Sequence, residues 1–498
     1  MFSAKQTKFY LAITLIICLI GLFLRAYFFA MGRSLWLDEA MLALNIVKRS
    51  FLDLFRPLDF NQGAPIGFLL LLKTVSNLFG CSDYTLRIIP FIVGLASIPV
   101  MCLVSEQFVG KPYALISLGL FSISPKLIYY SSELKQYGTD VLTALIILWA
   151  ALKCLDYKAN LRTLVVFGIV GSIAIWMSHP SLFVFGGACL TMGLTFTLKR
   201  DSRRLLWLIC VGVVYIIDVA LIYFINLRHL ASNKHLISYW SSSFAPLPPW
   251  SNFSWYYYAL IGMLRNPATL PISVIVGVLL IVGAFSFVLR GWQLMLILIA
   301  PFLLTLIASA LKKYPFGDRL LLFLLPILFL LLAEGTKIVR TILLKMNRYL
   351  ADITCISLVV YLLYNPITIV YSNLQNPPLG EHIKPVMEYL SENRLVTDLI
   401  YVYYGAIPAF EFYRPFYGFN EREYIKGISS REEPAKYIED IKKLKGNRVW
   451  FVFSHNCSWC IVNEQEYILD YLNKTGIKVD EFLSEGASLY LYDLRHAP

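Results

Sequence analysis

Charged residues are scarce in this chain. Only 15% of its 498 residues are Asp, Glu, Lys or Arg, whereas a soluble globular protein carries about 25%. The sequence also lacks internal repeats, low-complexity tracts and any basic stripe suited to nucleic acid. These absences exclude an ordinary soluble protein, a repeat array and a protein that binds nucleic acid through a basic surface.

Apolar runs take the place of the missing charges. Hydrophobic residues make up 58% of the chain, and the mean hydropathy is +0.63. A run of about 17–25 apolar residues is long enough to cross about 30 Å of hydrocarbon as a helix, and a backbone in lipid must pair its polar groups internally. The runs are roughly 10–30, 64–79, 87–108, 113–130, 139–153, 162–178, 181–198, 205–225, 271–289, 293–311, 320–333 and 350–371.

The basic residues predict the orientation of these runs. The formal net charge of +12 comes largely from Lys and Arg in short loops, and such loops stay in the cytoplasm. The strongest cluster is 199–204, and two further basic loops are 153–162 and 337–348. The first run follows Lys5 and Lys8, is too long for a signal-peptide core and lacks a small-residue cleavage site, so we expect a retained helix with a cytoplasmic N-terminus. The faces of the other segments are predicted by counting crossings from the basic loops. The segments expected on the outer face are 31–63, 131–138, 227–270 and 312–319.

The number of runs does not fit this orientation unless one of them fails to cross. Three runs separate segments 31–63 and 131–138, and an even number of crossings is needed for both to share a face. The run 64–79 is short and begins beside Pro65. We therefore expect it to lie along the outer interface, which leaves about eleven spanning helices.

The composition changes near residue 373, where Glu, Lys, Asp and Asn become frequent. We expect a membrane domain over 1–372 and a soluble α/β domain over 373–498 on the outer face, large enough for its own core. Aromatic and β-branched residues predict strands, and helical spacing with end signals predicts helices. The strands are predicted at 399–405, 448–454 and 488–494, and the helices at 431–446 and 464–476.

Most of the nine cysteines carry no motif. Six lie inside apolar runs or at their ends, where they serve as small apolar side chains. Cys457 and Cys460 have the C-x-x-C spacing. In an oxidising compartment this spacing favours a local disulfide over redox catalysis, and zinc lacks a second pair of ligands.

Acidic residues mark two of the predicted outer loops. In "SLWLDEAMLALNIVKRS", Asp38 and Glu39 stand at the start of a predicted amphipathic helix, near the positive end of its dipole. A plain helix start is the alternative. The loop "SSELKQYG" places Glu133, Lys135 and Tyr137 at the entrance of the next helix, and its alternative is a solvated turn.

Cations mark a third outer segment, "KKYPFGDRLLLFLLP". Lys312, Lys313 and Arg319 lie at an outer boundary, where the topology rule disfavours positive charge. An anion at the membrane surface explains them better than snorkelling of long side chains. Tyr314 belongs to the same segment, and His179 in "WMSHPSLF" lies at another outer helix end, where an interface histidine is the alternative.

The order and spacing of these motifs over residues 9 to 335, most clearly over 35–140, resemble the GT-C superfamily of membrane glycosyltransferases. Within this superfamily, the pattern is similar to those of the protein O-mannosyltransferases and the aminoarabinose transferases of lipid A. The resemblance implies polyprenyl-phosphate sugars as donors. It also implies that Asp38 holds the essential acidic position, with Glu39 as the second member of a "D-E" pair. Glu133 and Lys135 match the acidic and basic positions of the second loop.

Two arginines also match the pattern, and one position departs from it. Arg87, in "YTLRIIP", matches an arginine that opens the next helix, and Arg319 matches a boundary arginine near the carrier phosphate. In "NQGAPIG", however, Ala64 precedes Pro65, where the aminoarabinose transferases carry a phosphate-contacting lysine and the mannosyltransferases a histidine. The phosphate is therefore expected to meet Lys312, Lys313 or Arg319 instead.

The chemistry of the residue types agrees with this reaction. A lipid phosphate that leaves as an anion needs cations, whereas an acceptor hydroxyl or amine needs a carboxylate base. The resemblance implies transfer of a sugar to a lipid, glycan or protein acceptor at the outer face of a bacterial plasma membrane. Attack from the side opposite the phosphate predicts inversion. No ligand set demands a metal, and a divalent cation is left open. A transporter or flippase of lipid-linked substrates and a non-catalytic scaffold are the alternatives.

Overall fold

The computed structural model describes residues 4–156, 158–456 and 463–495. It divides the chain into two compact units. The first unit contains Met1–Met31, Phe51–Phe79 and Arg87–Asn376. The second contains Pro377–Pro498 together with the earlier segments Gly32–Ser50 and Gly80–Leu86. The acidic motif at residues 38 and 39 therefore belongs to the second unit.

The first unit is a helical bundle, and one of its helices, α4, begins in the second unit. Its helices are α1 (Ala4–Ala30), α3 (Ile66–Phe79), α4 (Asp83–Phe108), α5 (Ala114–Ser122), α6 (Pro125–Tyr130), α7 (Tyr137–Leu155), α8 (Leu161–Met177), α9 (Ser181–Leu198), α10 (Ser202–Ile222), α11 (Arg228–Ala231), α12 (Lys234–Tyr239), α13 (Phe253–Arg265), α14 (Val274–Arg290), α15 (Trp292–Ala310), α16 (Leu325–Leu343) and α17 (Arg348–Gln375). A 3-10 segment, Asp318–Leu324, leads directly into α16.

Eight helices of the described residues are long and apolar enough to cross a membrane. They are Ala4–Ala30, Asp83–Phe108, Tyr137–Leu155, Ser181–Leu198, Ser202–Ala231, Trp292–Ala310, Asp318–Leu343 and Arg348–Gln375. In Ser202–Ala231, the π-helical turn Tyr223–Leu227 joins α10 to α11. Three shorter apolar helices are Ile66–Phe79, Leu161–Met177 and Val274–Arg290. The chain is thus an integral membrane protein, whereas the predicted number of about eleven spans is not confirmed.

The predicted run 113–130 is not one helix. It forms α5 and α6, because Ser124 has a non-helical backbone and Pro125 starts the next helix. Proline disfavours a helical residue before it and suits the first position of a new helix. The short run 64–79 forms α3, whose 14 residues reach only about 21 Å at 1.5 Å per residue. Its place along the outer interface stays a prediction.

Close backbone contact holds α14 against α16 in the core of the first unit. A Cβ atom at Gly283 would lie 2.1 Å from the carbonyl oxygen of Leu331, and one at Gly335 would lie 2.1 Å from that of Leu279. Only glycine permits this approach, as in other membrane helix pairs with small residues at the crossing. The pair anchors the helix that follows the segment carrying Arg319.

A buried arginine fixes the chain that leads to the second predicted outer loop. Arg25 of α1 is fully buried, and its Nη1 atom donates to the carbonyl oxygens of Gly21 at 3.0 Å and Ser122 at 3.1 Å. Ser122 is the last residue of α5, where carbonyl groups lack helical partners and positive charge is favourable. The turn from α5 into α6 is therefore tied to α1.

The second unit contains a five-stranded sheet in the order β2-β1-β3-β5-β4. β1 pairs parallel with β2 and β3, and β5 pairs antiparallel with β3 and β4. The strands are β1 (Leu399–Val402), β2 (Ile425–Lys426), β3 (Arg448–Ser454), β4 (Ile477–Ser484) and β5 (Ala487–Asp493). The helices are α2 (Leu37–Lys48), α18 (Lys384–Asn393), α19 (Ile407–Tyr413), α20 (Ala435–Lys442) and α21 (Glu464–Thr475).

The three strands predicted from aromatic and β-branched runs are confirmed as β1, β3 and β5, and both predicted helices appear as α20 and α21. The central strand β3 is buried over Val449–Ser454, which explains its continuous apolar sequence. The edge strand β4 was not predicted. Its sequence, IKVDEFLS, mixes apolar with polar residues, and each residue is exposed or partly exposed.

Candidate functional site

The loop between α6 and α7, residues 131–136, is enclosed by protein. Glu133 is 1% exposed and Lys135 is 5% exposed. This burial excludes the solvated turn that the sequence left open. A charged side chain taken out of water is costly unless it is paired or hydrogen-bonded. The loop is thus a place where the fold keeps opposite charges away from solvent.

Lys135 is held by a residue that sequence reasoning missed. Its Nζ atom donates to Oε1 of Gln62 at 2.7 Å. Gln62 follows the 3-10 turn Asp59–Asn61, and Oδ1 of Asn61 accepts a hydrogen bond from Nδ2 of Asn233 at 2.9 Å. Gln62 stands two positions before Ala64 in the segment "NQGAPIG". Because Gln62 is uncharged and its segment matches the family pattern only in part, nothing in the sequence marked it as a site residue.

Arg319 lies over two aromatic rings. Its guanidinium carbon is 5.8 Å from the ring centroid of Tyr137 and 5.9 Å from that of Trp240. Cations are attracted to the faces of such rings, more strongly where water is excluded. The guanidinium group is therefore placed against two aromatic rings, and its planar, forked geometry is the one that matches phosphate and carboxylate oxygens.

A tyrosine connects the loop with this arginine. The rings of Tyr130 and Tyr137 meet edge to face, with centroids 5.1 Å apart. Glu133 and Arg319 both lie close enough to act electrostatically on the Tyr130 hydroxyl group. We name this group, which comprises Gln62, Tyr130, Glu133, Lys135, Tyr137 and Arg319, the Glu133 cluster. The structure thus brings together Glu133, Lys135, Tyr137 and Arg319, four residues selected from the sequence.

Two further side chains fix the segment that carries Arg319. Asp318 has a φ of 46°, in the left-handed region that non-glycine residues seldom adopt, and its Oδ1 atom accepts a hydrogen bond from Nδ2 of Asn266 at 2.7 Å. The Tyr314 hydroxyl group donates to the carbonyl oxygen of Leu320 at 2.9 Å. The residues on both sides of Arg319, Asp318 and Leu320, are therefore fixed by hydrogen bonds.

Lys312 and Lys313 differ from Arg319. Both side chains are exposed, and within the described part of the chain neither forms a side-chain hydrogen bond or ion pair. Of the three boundary cations selected from the sequence, Arg319 alone belongs to the Glu133 cluster. The two lysines remain suited to long-range attraction of an anion rather than to holding it.

A second polar group lies beside Tyr314. Asp140, in the first turn of α7, is 5% exposed, and the Ser178 hydroxyl group lies beside its carboxylate. Burial raises the pKa of Tyr314, and the charge of Asp140 raises it further. Burial lowers the pKa of His179, next to Ser178, to about 4, so its imidazole is neutral at pH 7. His179 and Tyr314 therefore act as neutral hydrogen-bonding groups.

Arg87 and the acidic pair occupy other positions. Arg87 is 3% exposed and lies in the second turn of α4. Asp38 and Glu39 lie in the first turn of α2, the helix start that the sequence predicted. The sequence did not predict that α2 belongs to the second unit. Glu39 is fully buried, whereas Asp38 is partly exposed. Asp38 is thus the more accessible member of the pair.

Two remaining expectations concern metals and thiols. Among residues 4–156, 158–456 and 463–495, no group of three or more His, Cys, Asp or Glu side chains is placed to hold a metal ion. Cys457 and Cys460 lie outside the described residues. The proposed disulfide between them stays a prediction.

Comparison with known proteins gives a likeness in structure only. No protein-family model matches the sequence, and no curated protein matches it. The crystal structure of ArnT from Cupriavidus metallidurans bound to undecaprenyl phosphate has a TM-score of 0.56 and 12% identity, with 98% of each chain covered. The same protein in the apo state gives 0.54 and 10%, with 97% of each chain covered.

An archaeal protein shares the fold as well. The oligosaccharyltransferase AglB from Archaeoglobus fulgidus, in complex with an inhibitory peptide and a dolichol-phosphate, has a TM-score of 0.50 and 12% identity. That match covers 100% of this chain and 75% of AglB. At these identities the comparison bears on the fold alone. The resemblance to the GT-C superfamily that the sequence motifs indicated is confirmed at that level, and the chain has the fold of ArnT and AglB.

Proposed function

We propose that this protein is an inverting glycosyltransferase that moves a sugar from a polyprenyl-phosphate carrier to a lipid, glycan or protein acceptor. The observation that carries the proposal is the enclosed Glu133 cluster, with Lys135 and Arg319 beside a carboxylate. It occurs in a fold that binds undecaprenyl phosphate in ArnT and dolichol-phosphate in AglB. Transfer takes place at the outer face of the membrane, a bacterial plasma membrane, and the N-terminus lies in the cytoplasm.

In this proposal the cations act on the leaving group. As the bond between the anomeric carbon and the phosphate oxygen breaks, negative charge grows on the phosphate. Lys135 and the oriented guanidinium group of Arg319 stabilise that charge, and fixed donors in a water-poor site do this better than water. Arg319 offers several parallel N–H groups to phosphate oxygens, whereas Lys135 acts as a point charge. Lys312 and Lys313, both exposed, attract the carrier to the protein.

The carboxylates act on the acceptor. Asp38 takes the proton of the acceptor hydroxyl or amine as its oxygen or nitrogen bonds to the anomeric carbon from the side opposite the phosphate. The products are a glycosylated acceptor with inverted configuration, the free polyprenyl phosphate and a protonated Asp38. A base of this kind contributes about 10²–10⁴-fold. Glu39 and Glu133 support acceptor binding, or a divalent cation where one is used.

The neutral groups complete the site. Tyr137 stacks on Arg319, Tyr314 braces the following 3-10 turn, and the neutral imidazole of His179 offers a hydrogen bond to a sugar hydroxyl group. Arg87, buried in α4, shapes the surroundings. Since a sugar presents many hydroxyl groups and no charge is required to bind them, neutral polar side chains suit this role.

Purified full-length protein in lipid nanodiscs tests the proposal. Polyprenyl-phosphate sugars with a radiolabelled sugar are added with a membrane extract as the source of acceptors. Release of free polyprenyl phosphate and labelling of an acceptor are expected, and both are lost in Asp38→Asn and Lys135→Met. Lys345→Gln, which changes an exposed lysine of a different loop, serves as the control. Movement of the carrier across the bilayer without release of sugar would support a flippase instead and refute the proposal.

A further inference from the structure

The chain segment that leads into the acidic motif is held by the C-terminal part of its own unit. The main-chain N–H of Ser34 donates to Nδ1 of His382 at 3.3 Å, and its hydroxyl group lies 3.0 Å from the same atom. The main-chain N–H of Lys384 donates to the Ser34 hydroxyl oxygen at 3.1 Å. Burial and the charge of Lys384 lower the pKa of His382, which favours the neutral ring. The main-chain N–H of Ser34 can donate only to an unprotonated Nδ1 atom, so the ring proton is assigned to Nε2.

A second set of contacts continues along the segment. The main-chain N–H of Leu35 donates to the hydroxyl oxygen of Tyr413 at 2.8 Å. That hydroxyl group in turn donates to Oδ1 of Asp83 at 2.8 Å. Lys384 pairs with Oδ2 of Asp83 at 2.6 Å and also donates to the carbonyl oxygen of Gly32. The segment is thereby fixed at three of its residues before α2 begins.

The third contact lies at the helix start itself. The first residue of α2 is Leu37, and Trp36 at the N-cap position provides no side-chain cap. The first N–H groups of a helix have no partners within the helix. The N–H of Leu37 donates to Oε2 of Glu381 at 2.8 Å. A carboxylate from a distant part of the sequence thus supplies the cap, and its charge favours the positive end of the helix dipole.

Glu381 is itself positioned by the sheet. Its Oε1 atom lies 2.6 Å from Nδ1 of His455, which follows β3 and has a φ of 57°. A non-glycine residue held in the left-handed region is uncommon and persists only where its surroundings determine it. The neighbour His382 donates its main-chain N–H to the carbonyl oxygen of Glu485, between β4 and β5, at 2.8 Å. The capping carboxylate thus contacts the residue that follows β3, and the main chain beside it is hydrogen-bonded to the turn between β4 and β5.

We propose that the C-terminal domain is the positioning device for the carboxylates of α2, and that Glu381 is its principal positioning residue. This inference rests on the proposed function, in which Asp38 is the base. Asp38 and Glu39 are the second and third residues of α2, so fraying of the first turn would displace both. A catalytic group must be held within about 0.5 Å of its productive position. Anchoring the first turn to the sheet accomplishes this.

α2 and the C-terminal part of the second unit also contact each other at the last residue of α2, and this contact provides a matched control. Lys48, the last residue of α2, forms an ion pair with Glu411 of α19 at 2.6 Å, and the Lys48 side chain is 53% exposed. An exposed ion pair of this kind contributes little. Removing the Lys48–Glu411 ion pair leaves the first turn of α2 untouched. Loss of this ion pair and loss of the Glu381 cap each remove one contact between α2 and the C-terminal domain, so the two variants are matched.

Hydrogen exchange of the full-length protein in nanodiscs, together with carrier release, tests the inference. In Glu381→Ala, amides of the first turn of α2 are expected to exchange about 2- to 30-fold faster, as for loss of a helix cap. The kcat for carrier release falls at least as much, and the KM for the carrier stays unchanged. Glu381→Gln keeps a neutral acceptor and gives a smaller effect on both. Lys48→Gln changes neither.

Each contrary result has a distinct meaning. Unchanged exchange at the first turn of α2 in Glu381→Ala overturns the inference, and so does faster exchange with an unchanged kcat. If Glu381→Ala does not fold, Glu381→Gln and His455→Ala carry the test, and protection of α2 equal to that of the unaltered protein in both overturns it. If the unaltered protein releases no carrier, the proposed function fails, and the exchange data still report whether Glu381 holds α2.

Discussion

Replacing Gln62 by Leu tests whether Lys135 holds the carrier phosphate. The substitution removes the acceptor that the Lys135 ammonium group contacts at 2.7 Å. Lys135 is only 5% exposed, so water cannot readily take the place of the amide oxygen. A hydrogen bond to a charged group is worth about 1.5–3 kcal/mol. Gln62→Leu therefore leaves an ammonium group that is less firmly placed than before.

The size of the effect follows from this energy. If the full energy is lost in the transition state, kcat/KM for carrier release falls about 10- to 150-fold, since about 1.4 kcal/mol corresponds to a factor of ten. Lys135→Met removes a cation that faces the developing charge, and the loss of one such donor costs about 10²–10³ in kcat. Gln62 acts through Lys135, so the double variant is expected to be no slower than Lys135→Met alone.

The assay is single-turnover release of polyprenyl phosphate from a labelled donor, measured for the two single variants and the double variant. A double-variant cycle isolates the coupling between two residues in contact. If the fold reduction in the double variant equals the product of the two single reductions, Gln62 acts independently of Lys135, which would refute the reasoning. Gln375→Leu is the matched control, because Gln375 is exposed at the end of α17 and donates to the hydroxyl oxygen of Tyr371.

Three further predictions follow from the described contacts. Arg319→Lys keeps the charge but loses the planar group that stacks on two rings, so carrier release is expected to fall about tenfold or more; equal rates would contradict the proposed stacking. Burial lowers the pKa of His179 to about 4, below the unfolded value of about 6.5, so its contribution to stability is present above about pH 6.5 and is lost as the pH falls towards about 4. His179→Gln is therefore expected to weaken the dependence of the melting temperature on pH between these two values, and an unchanged dependence would contradict this. Cysteines at positions 313 and 345 should label from opposite sides of the membrane, and labelling from one side would overturn the orientation.

Much of the helical architecture could be predicted because lipid leaves so few choices. Long apolar runs must be helical in a bilayer, and the helices α1, α4, α9 and α17 appear where such runs lie. The break between α5 and α6 was marked by Pro125, but its apolar surroundings favoured one continuous helix. The strand β4 escaped prediction because an edge strand faces solvent and its sequence follows no buried pattern.

The composition of the second unit could not have been predicted. Segments Gly32–Ser50 and Gly80–Leu86 join Pro377–Pro498 through hydrogen bonds that leave no local sequence signal. The same limit applies to the site. Charge at a predicted membrane boundary marked Glu133, Lys135 and Arg319 in the sequence. Gln62, Trp240 and Glu381 belong to no motif that would have marked them. Their importance arises from distant parts of the chain that folding brings together.

A cryo-EM structure of the full-length protein in nanodiscs with polyprenyl phosphate tests the central claim most directly. The account predicts phosphate oxygens at hydrogen-bonding distance, about 3 Å, from the Lys135 ammonium group and the Arg319 guanidinium group, with the polyprenyl chain running into the bilayer. A phosphate bound elsewhere, with neither cation in contact, would contradict it.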